Sequence, residues 1–115
     1  MSSFNIKNLQ PNERRKKRRM NLSGLMPGRL ANKETEKLIS CRPINVSVKG
    51  LGIVSTDLLN EGTIVVLSIK SRKIEFRVVW SQQDFKKQNM TRYGLQVLDE
   101  NINIEEVFRD SGMFI

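Results

Sequence analysis

The sequence predicts an all-β fold, a six-stranded antiparallel barrel followed by one short C-terminal helix. Six short segments have the apolar content of strands, turn residues separate them, and helical spacing appears only after residue 102. Because most connections are short, we expect antiparallel neighbours arranged as a small barrel or sandwich. The predicted strands cover residues 22–31, 37–46, 51–55, 63–70, 73–81 and 92–98.

Turn signals mark the ends of these segments. Residues 32–34 separate the first two strands, residues 59–62 precede the fourth strand, and residues 71–72 form a tight reversal. A longer polar loop, residues 83–90, connects the last two strands. The chain is therefore expected to reverse direction at each of these points.

The fifth strand gives the clearest alternation of apolar and polar side chains, which is the period of a strand with one buried face. We therefore interpret Trp80 as a core or rim residue and not as a platform for a base. One face of the strand is predicted to carry Ile74, Phe76, Val78 and Trp80, and the other Glu75, Arg77 and Val79.

Near its C-terminal end the pattern becomes helical. Residues 103–109 place Ile104, Val107 and Phe108 on one face. Asn103 is the expected N-cap, and the two glutamates that follow in the first turn complement the positive end of the helix dipole. We expect this helix to close an open end of the barrel, with its apolar face in the core.

The net charge of +8 is concentrated at the N-terminal end. Residues 1–30 contain eight basic residues and a single acidic residue, Glu13, so an N-terminal arm should attract a negatively charged partner.

The length of 115 residues favours one domain. Its predicted parts are a flexible tail (1–12), a basic ligand-binding arm (13–19), the barrel with its helix (20–110) and a second tail (111–115), whose apolar residues either extend the core packing or hang free.

Cysteine and histidine usage excludes several kinds of chemistry. Cys41 is the only cysteine and there is no histidine, so one chain forms no disulfide, no Cys/His zinc site and no histidine-activated nucleophile. We interpret Cys41 as a small buried hydrophobe. Since the carboxylates show no pairing with a base, we expect no enzyme, no metal and no cofactor.

No apolar run is long enough to span a bilayer, and the expected location is the cytoplasm, without membrane insertion.

Residues 44–53 form the first motif with binding chemistry, in which Asn45, Ser47 and Gly50 interrupt two short apolar runs. The pattern predicts a strand, a tight turn and a strand, because Asn and Ser bond backbone groups locally and glycine adopts positive φ without a Cβ penalty. A carboxamide and a hydroxyl suit base edges, and the glycine lets backbone approach closely. We expect the polar atoms to face outward, toward a ligand.

The second motif is a basic run with two pairs spaced as R-x-x-x-R, Arg14 with Arg18 and Arg15 with Arg19. An arginine fork binds guanine O6 and N7, or two phosphate oxygens, in bidentate fashion, and its plane stacks on a purine. In an extended arm, positions four apart point the same way and lie about 13 Å apart. We prefer the pair Arg15 and Arg19, because Arg19 directly precedes the predicted barrel.

The order R-x-x-x-R, then N-x-S-x-x-G, then a six-stranded barrel with a terminal helix resembles the PilZ domain family over about residues 13–108. The resemblance implies a split-barrel fold and binding of the bacterial second messenger cyclic di-GMP. It also implies that an arginine just before the preferred pair favours two stacked ligand molecules per chain. The residues implied in binding are Arg14, Arg15, Arg18, Arg19, Asn45, Ser47 and Gly50.

These expectations describe a non-catalytic receptor. Its arm folds over cyclic di-GMP against the turn at residues 45–50 and relays binding, by the arm's rearrangement, to an unidentified protein partner. Two alternatives stay open. The basic arm also suits RNA or DNA, which is less favoured because no stripe of alternating basic and aromatic residues accompanies it. A degenerate domain that binds only a protein partner would leave the arm as a solvated tail.

Overall fold

The computed structural model describes residues 21–83 and 89–115. Neighbouring strands pair antiparallel in one six-stranded sheet, which curls into a half-barrel with a short helix after its last strand. The predicted all-β, six-stranded antiparallel fold with a C-terminal helix is thus confirmed. The elements are β1 (Arg29–Asn32), β2 (Cys41–Val46), β3 (Gly50–Ser55), β4 (Ile64–Ile69), β5 (Arg72–Gln83), β6 (Thr91–Val97) and α1 (Ile104–Asp110), and the strand order is β1-β4-β5-β6-β3-β2.

The first two strands are shorter than predicted. Residues 22–28 contain Gly24 in the left-handed region (φ 87°) and Pro27, and β1 begins only after them. The segment before β2 pairs with β1, since the N–H of Ile39 donates to the Leu30 carbonyl at 2.8 Å. The chain therefore folds back on β1 before it continues into β2.

Buried side chains of the sheet and the apolar side of α1 belong to one hydrophobic core. The buried hydroxyl of Tyr93 donates to the Asp57 carbonyl (2.8 Å) and accepts from the N–H of Leu59 (3.0 Å), which fixes the β3–β4 connection. The core comprises Leu30, Ile39, Leu51, Ile53, Val65, Leu67, Ile69, Ile74, Phe76, Val78, Tyr93, Leu95, Val97, Ile104, Val107 and Phe108.

The predicted helix cap is confirmed. Oδ1 of Asn103 accepts a hydrogen bond from the N–H of Glu106 at 3.2 Å, which satisfies one of the free N–H groups at the helix start. Ile104, Val107 and Phe108 are buried, so the apolar face of α1 belongs to the core as expected. Within the described ranges, no helix is long and apolar enough to cross a membrane.

The segment after α1, predicted as a tail, pairs with the residues that follow the basic run. The N–H of Ser23 donates to the Met113 carbonyl (2.8 Å), and the N–H of Ile115 donates to the Asn21 carbonyl (2.7 Å). The side chains of Met113 and Phe114 pack against the core. The sequence left open whether this segment extends the core packing or hangs free, and in the structure it extends the core packing.

Candidate functional site

Three of the predicted site residues lie together where β2 turns into β3. Asn45 is in β2, Ser47 follows the last residue of that strand, and Gly50 begins β3. The side chains of Asn45 and Ser47 are exposed, as predicted. The other predicted site residues, Arg14, Arg15, Arg18 and Arg19, lie outside the described residues.

Hydrogen bonds hold the β2–β3 turn from several sides. The N–H of Ser47 donates to the Gly50 carbonyl at 3.0 Å, and the Ser47 hydroxyl lies 3.5 Å from the same oxygen. At the tip, the Val48 carbonyl accepts from the first N–H of α1 (2.9 Å) and the Lys49 carbonyl from the last N–H of β6 (2.9 Å). The turn is therefore fixed to the helix and to β6 as well as to its own strands.

Gly50 does not have the role in the turn that the sequence predicted. Its φ lies outside the left-handed region, so the expectation that this position uses positive φ is wrong. A Cβ at Gly50 would lie 2.9 Å from the carbonyl oxygen of Leu95 and 3.4 Å from Oγ of Ser47. The glycine instead permits β6 to approach β3 closely, and a larger residue would force the two strands apart.

Asn45 belongs to a row of four residues that crosses the outer face of the sheet. Asn45 pairs with Gly52, Gly52 with Gly94, and Gly94 with Trp80. A Cβ on Gly52 would collide with the Asn45 carboxamide, and a Cβ on Gly94 would collide with the Trp80 indole. The paired glycines thus form a strip of bare backbone on which the carboxamide and the indole rest.

Two β-bulges place these side chains on the outer face. The register shifts between Pro43 and Asn45 in β2 and between Val78 and Trp80 in β5, so one extra residue precedes each site side chain. Because strand side chains alternate, an extra residue reverses the face of the residues after it. The prediction that Trp80 shares a face with Phe76 and Val78 is wrong for this reason, and Trp80 is 43% exposed.

The row offers two kinds of contact to a nucleobase. The Asn45 carboxamide makes no hydrogen bond with any described residue, so its donor and its acceptor are available to a base edge. An exposed aromatic ring such as that of Trp80 stacks on a base, a contact worth about 1–3 kcal/mol in nucleic-acid complexes. The arrangement can therefore recognise a purine by its edge and by its face.

Sequence reasoning missed Gly52, Gly94 and the outward side chain of Trp80 as parts of this site. Glycine inside a strand often marks close approach of another group, and both glycines interrupt apolar strand segments. That signal was present in the sequence. The pairing of the two glycines was not, because it joins strands about forty residues apart and depends on the fold.

Cys41 packs against the core and is not part of the outer face. Burial, and in addition the negative charge of Asp57, raises the pKa of Cys41 to about 11. The thiol is therefore protonated at neutral pH and behaves as a small apolar group. In the part of the chain that the structure describes, no group of three or more His, Cys, Asp or Glu side chains is placed to hold a metal ion.

Comparison with protein families finds a match to the PilZ domain over residues 13–110. The chain belongs to the PilZ domain family. The match covers both the basic run and the β2–β3 turn, so the family resemblance of the sequence is confirmed. No curated protein and no solved structure matches the chain. The PilZ family is one of receptors for cyclic di-GMP, and its domains are generally non-catalytic.

Proposed function

We propose that this PilZ domain is a non-catalytic cytoplasmic receptor, which binds cyclic di-GMP between its arginine arm and the outer face of the sheet at the β2–β3 turn. The observation that carries the proposal is the row that ends in Asn45 and Trp80. It presents an exposed carboxamide beside the fixed β2–β3 turn, without a hydrogen-bond partner among the described residues, and an exposed indole on the paired strand β5.

Cyclic di-GMP carries two guanines and two phosphates, so its receptor needs base contacts as well as positive charge. Asn45 binds the edge of one guanine, and the Ser47 hydroxyl supplies a second short polar group beside it. Trp80 stacks on the face of the base. The turn is bonded to α1 and β6, and Trp80 stands on a paired strand, so the backbone of these residues needs little ordering when the ligand arrives.

The arm supplies the charge. Arg15 and Arg19 bind phosphate oxygens or guanine O6 and N7 in bidentate fashion. Ordering an extended segment costs about 1–2 kcal/mol of backbone entropy per residue, so several charge-assisted contacts must form together. Loss of either arginine should therefore remove much of the affinity, and Arg14 allows a second stacked ligand molecule.

Binding is relayed to a protein partner by rearrangement of the arm. The base of the arm is fixed, since Asn21 and Ser23 bond to the segment after α1. The β2–β3 turn is bonded to the start of the same helix through the Val48 carbonyl. A ligand that joins arm and turn therefore acts on both ends of α1 and changes the surface that a partner meets.

The test is a calorimetric titration of cyclic di-GMP into the purified chain at about 0.15 M salt. The wild type is compared with Arg19→Ala and Ser47→Ala, with Leu58→Ala as a control at an exposed position outside the row, and with GMP as a control ligand. Saturable binding that both site variants lose and the control keeps supports the proposal. Two ligands per chain would support the role of Arg14.

A parallel titration with single-stranded RNA separates the alternatives. Absence of heat with cyclic di-GMP, together with an unchanged melting temperature, contradicts the receptor. Binding of single-stranded RNA that falls steeply with salt and is unaffected by Ser47→Ala would then indicate a nucleic-acid binder. No binding of either ligand would leave a domain that binds a protein partner only.

A further inference from the structure

The row next to Asn45 and Trp80 carries two more polar side chains on the outer face. Gly50 pairs with Gln96, and Gln96 pairs with Arg77. The side chains of Gln96 and Arg77 are exposed. Since neighbouring strands lie about 4.8 Å apart, Arg77 is about 10 Å across the sheet from Gly50.

Arg77 is available for a ligand. It makes no ion pair with any described residue. The acidic residue two positions earlier on the same face, Glu75, is bound to Lys33, with Nζ and Oε2 2.8 Å apart. The carboxamide of Gln96 likewise makes no hydrogen bond within the described ranges. Neither side chain therefore uses its donors within the part of the chain that the structure describes.

The position of Arg77 relative to Trp80 suits a nucleotide. The two residues lie on the same strand in neighbouring outward rows, which are about 7 Å apart. A nucleotide whose base stacks on the indole carries its phosphate one sugar away from the ring. A guanidinium in the neighbouring row can reach that phosphate while the base remains stacked.

We infer that Arg77 and Gln96 form the far half of the nucleotide site, with Arg77 binding a phosphate and Gln96 the edge of a guanine. The inference rests on the proposed function and extends the site from the β2–β3 turn across β3 and β6 to β5. Arg77 stands on a strand that is paired on both sides, so its contact requires no ordering of backbone.

The test is a titration of cyclic di-GMP into the full chain and into Arg77→Gln, Gln96→Ala and Lys73→Gln. Lys73 is the matched control, because it is an exposed cation on the same strand and the same face, about 13 Å from Arg77. We expect about tenfold or greater loss of affinity for Arg77→Gln, a smaller loss for Gln96→Ala and no change for Lys73→Gln. Binding by Arg77→Gln should also depend less on salt than binding by the wild type.

The outcomes separate this inference from the proposed function. Wild-type binding with unchanged affinity in Arg77→Gln overturns the inference and leaves the receptor intact. Equal losses in Arg77→Gln and Lys73→Gln also overturn it, because they indicate an effect of net charge alone. If the wild type binds no cyclic di-GMP, the proposed function fails and the inference fails with it.

Discussion

The inner and outer faces of β3 and β6 differ in how their central positions are filled. Toward the core the two strands present large side chains, such as Leu51 and Leu95, which are buried. Toward the outside they present Gly52 and Gly94, directly paired. Glycine within a strand costs about 0.5–1 kcal/mol relative to alanine. The inner face therefore stabilises the fold, whereas the outer face gives up stability to leave room for Asn45 and Trp80.

The largest effect on stability should come from the inner face. Phe76→Ala removes a ring that is completely buried in the hydrophobic core, and we expect it to lower the free energy of unfolding by about 3–5 kcal/mol. Urea denaturation measures this change. Arg77→Gln, at the next residue on the opposite face, should change it by less than about 0.5 kcal/mol. Equal effects of the two substitutions would mean that the faces are assigned wrongly.

A smaller loss of stability, with a local signature, is expected for Gly94→Val on the outer face. The added side chain collides with the Trp80 indole and should cost about 1–3 kcal/mol. Trp80 is the only tryptophan, so its fluorescence emission reports the displacement. The control is Ser68→Val, which enlarges a side chain on the outer face of β4. Unchanged emission in Gly94→Val would contradict the contact between Gly94 and the indole.

The last prediction concerns Cys41, on the inner face, and the way stability depends on pH. The pKa of Cys41 is raised to about 11, because its burial, and then Asp57, disfavours the thiolate. Between the ordinary thiol pKa and about pH 11 the unfolded chain releases a proton that the folded chain keeps, so the free energy of unfolding should fall as pH rises. Cys41→Ala should lack this part of the decline in denaturation curves recorded from pH 8 to 11. Identical slopes in both proteins would contradict the shift.

Much of the fold could be predicted, because it follows from local patterns. The six strands come from apolar segments between turn residues, and the helix start comes from Asn103 and the spacing after it. The length of the first strand was predicted wrongly, since Gly24 takes a left-handed conformation within the apolar run. A positive φ at one glycine does not appear in the apolar pattern.

The candidate site could be predicted only in part. Asn45, Ser47 and Gly50 follow from the spacing of their motif. The outward direction of Trp80 does not, because it depends on one extra residue in β5 opposite β6. The position of such a bulge depends on which residues of the two strands pair. Alternation within β5 alone therefore predicts the wrong face for Trp80.

The measurement that tests the central claim most directly is a titration of cyclic di-GMP followed by Trp80 fluorescence. The wild type is compared with Asn45→Ala and with Asn60→Ala, an exposed asparagine in the β3–β4 connection. We expect a saturable change in emission for the wild type and for Asn60→Ala, and about tenfold weaker binding for Asn45→Ala at an unchanged melting temperature. No change of emission in the wild type, or equal affinities in all three proteins, would contradict a nucleotide site on the outer face.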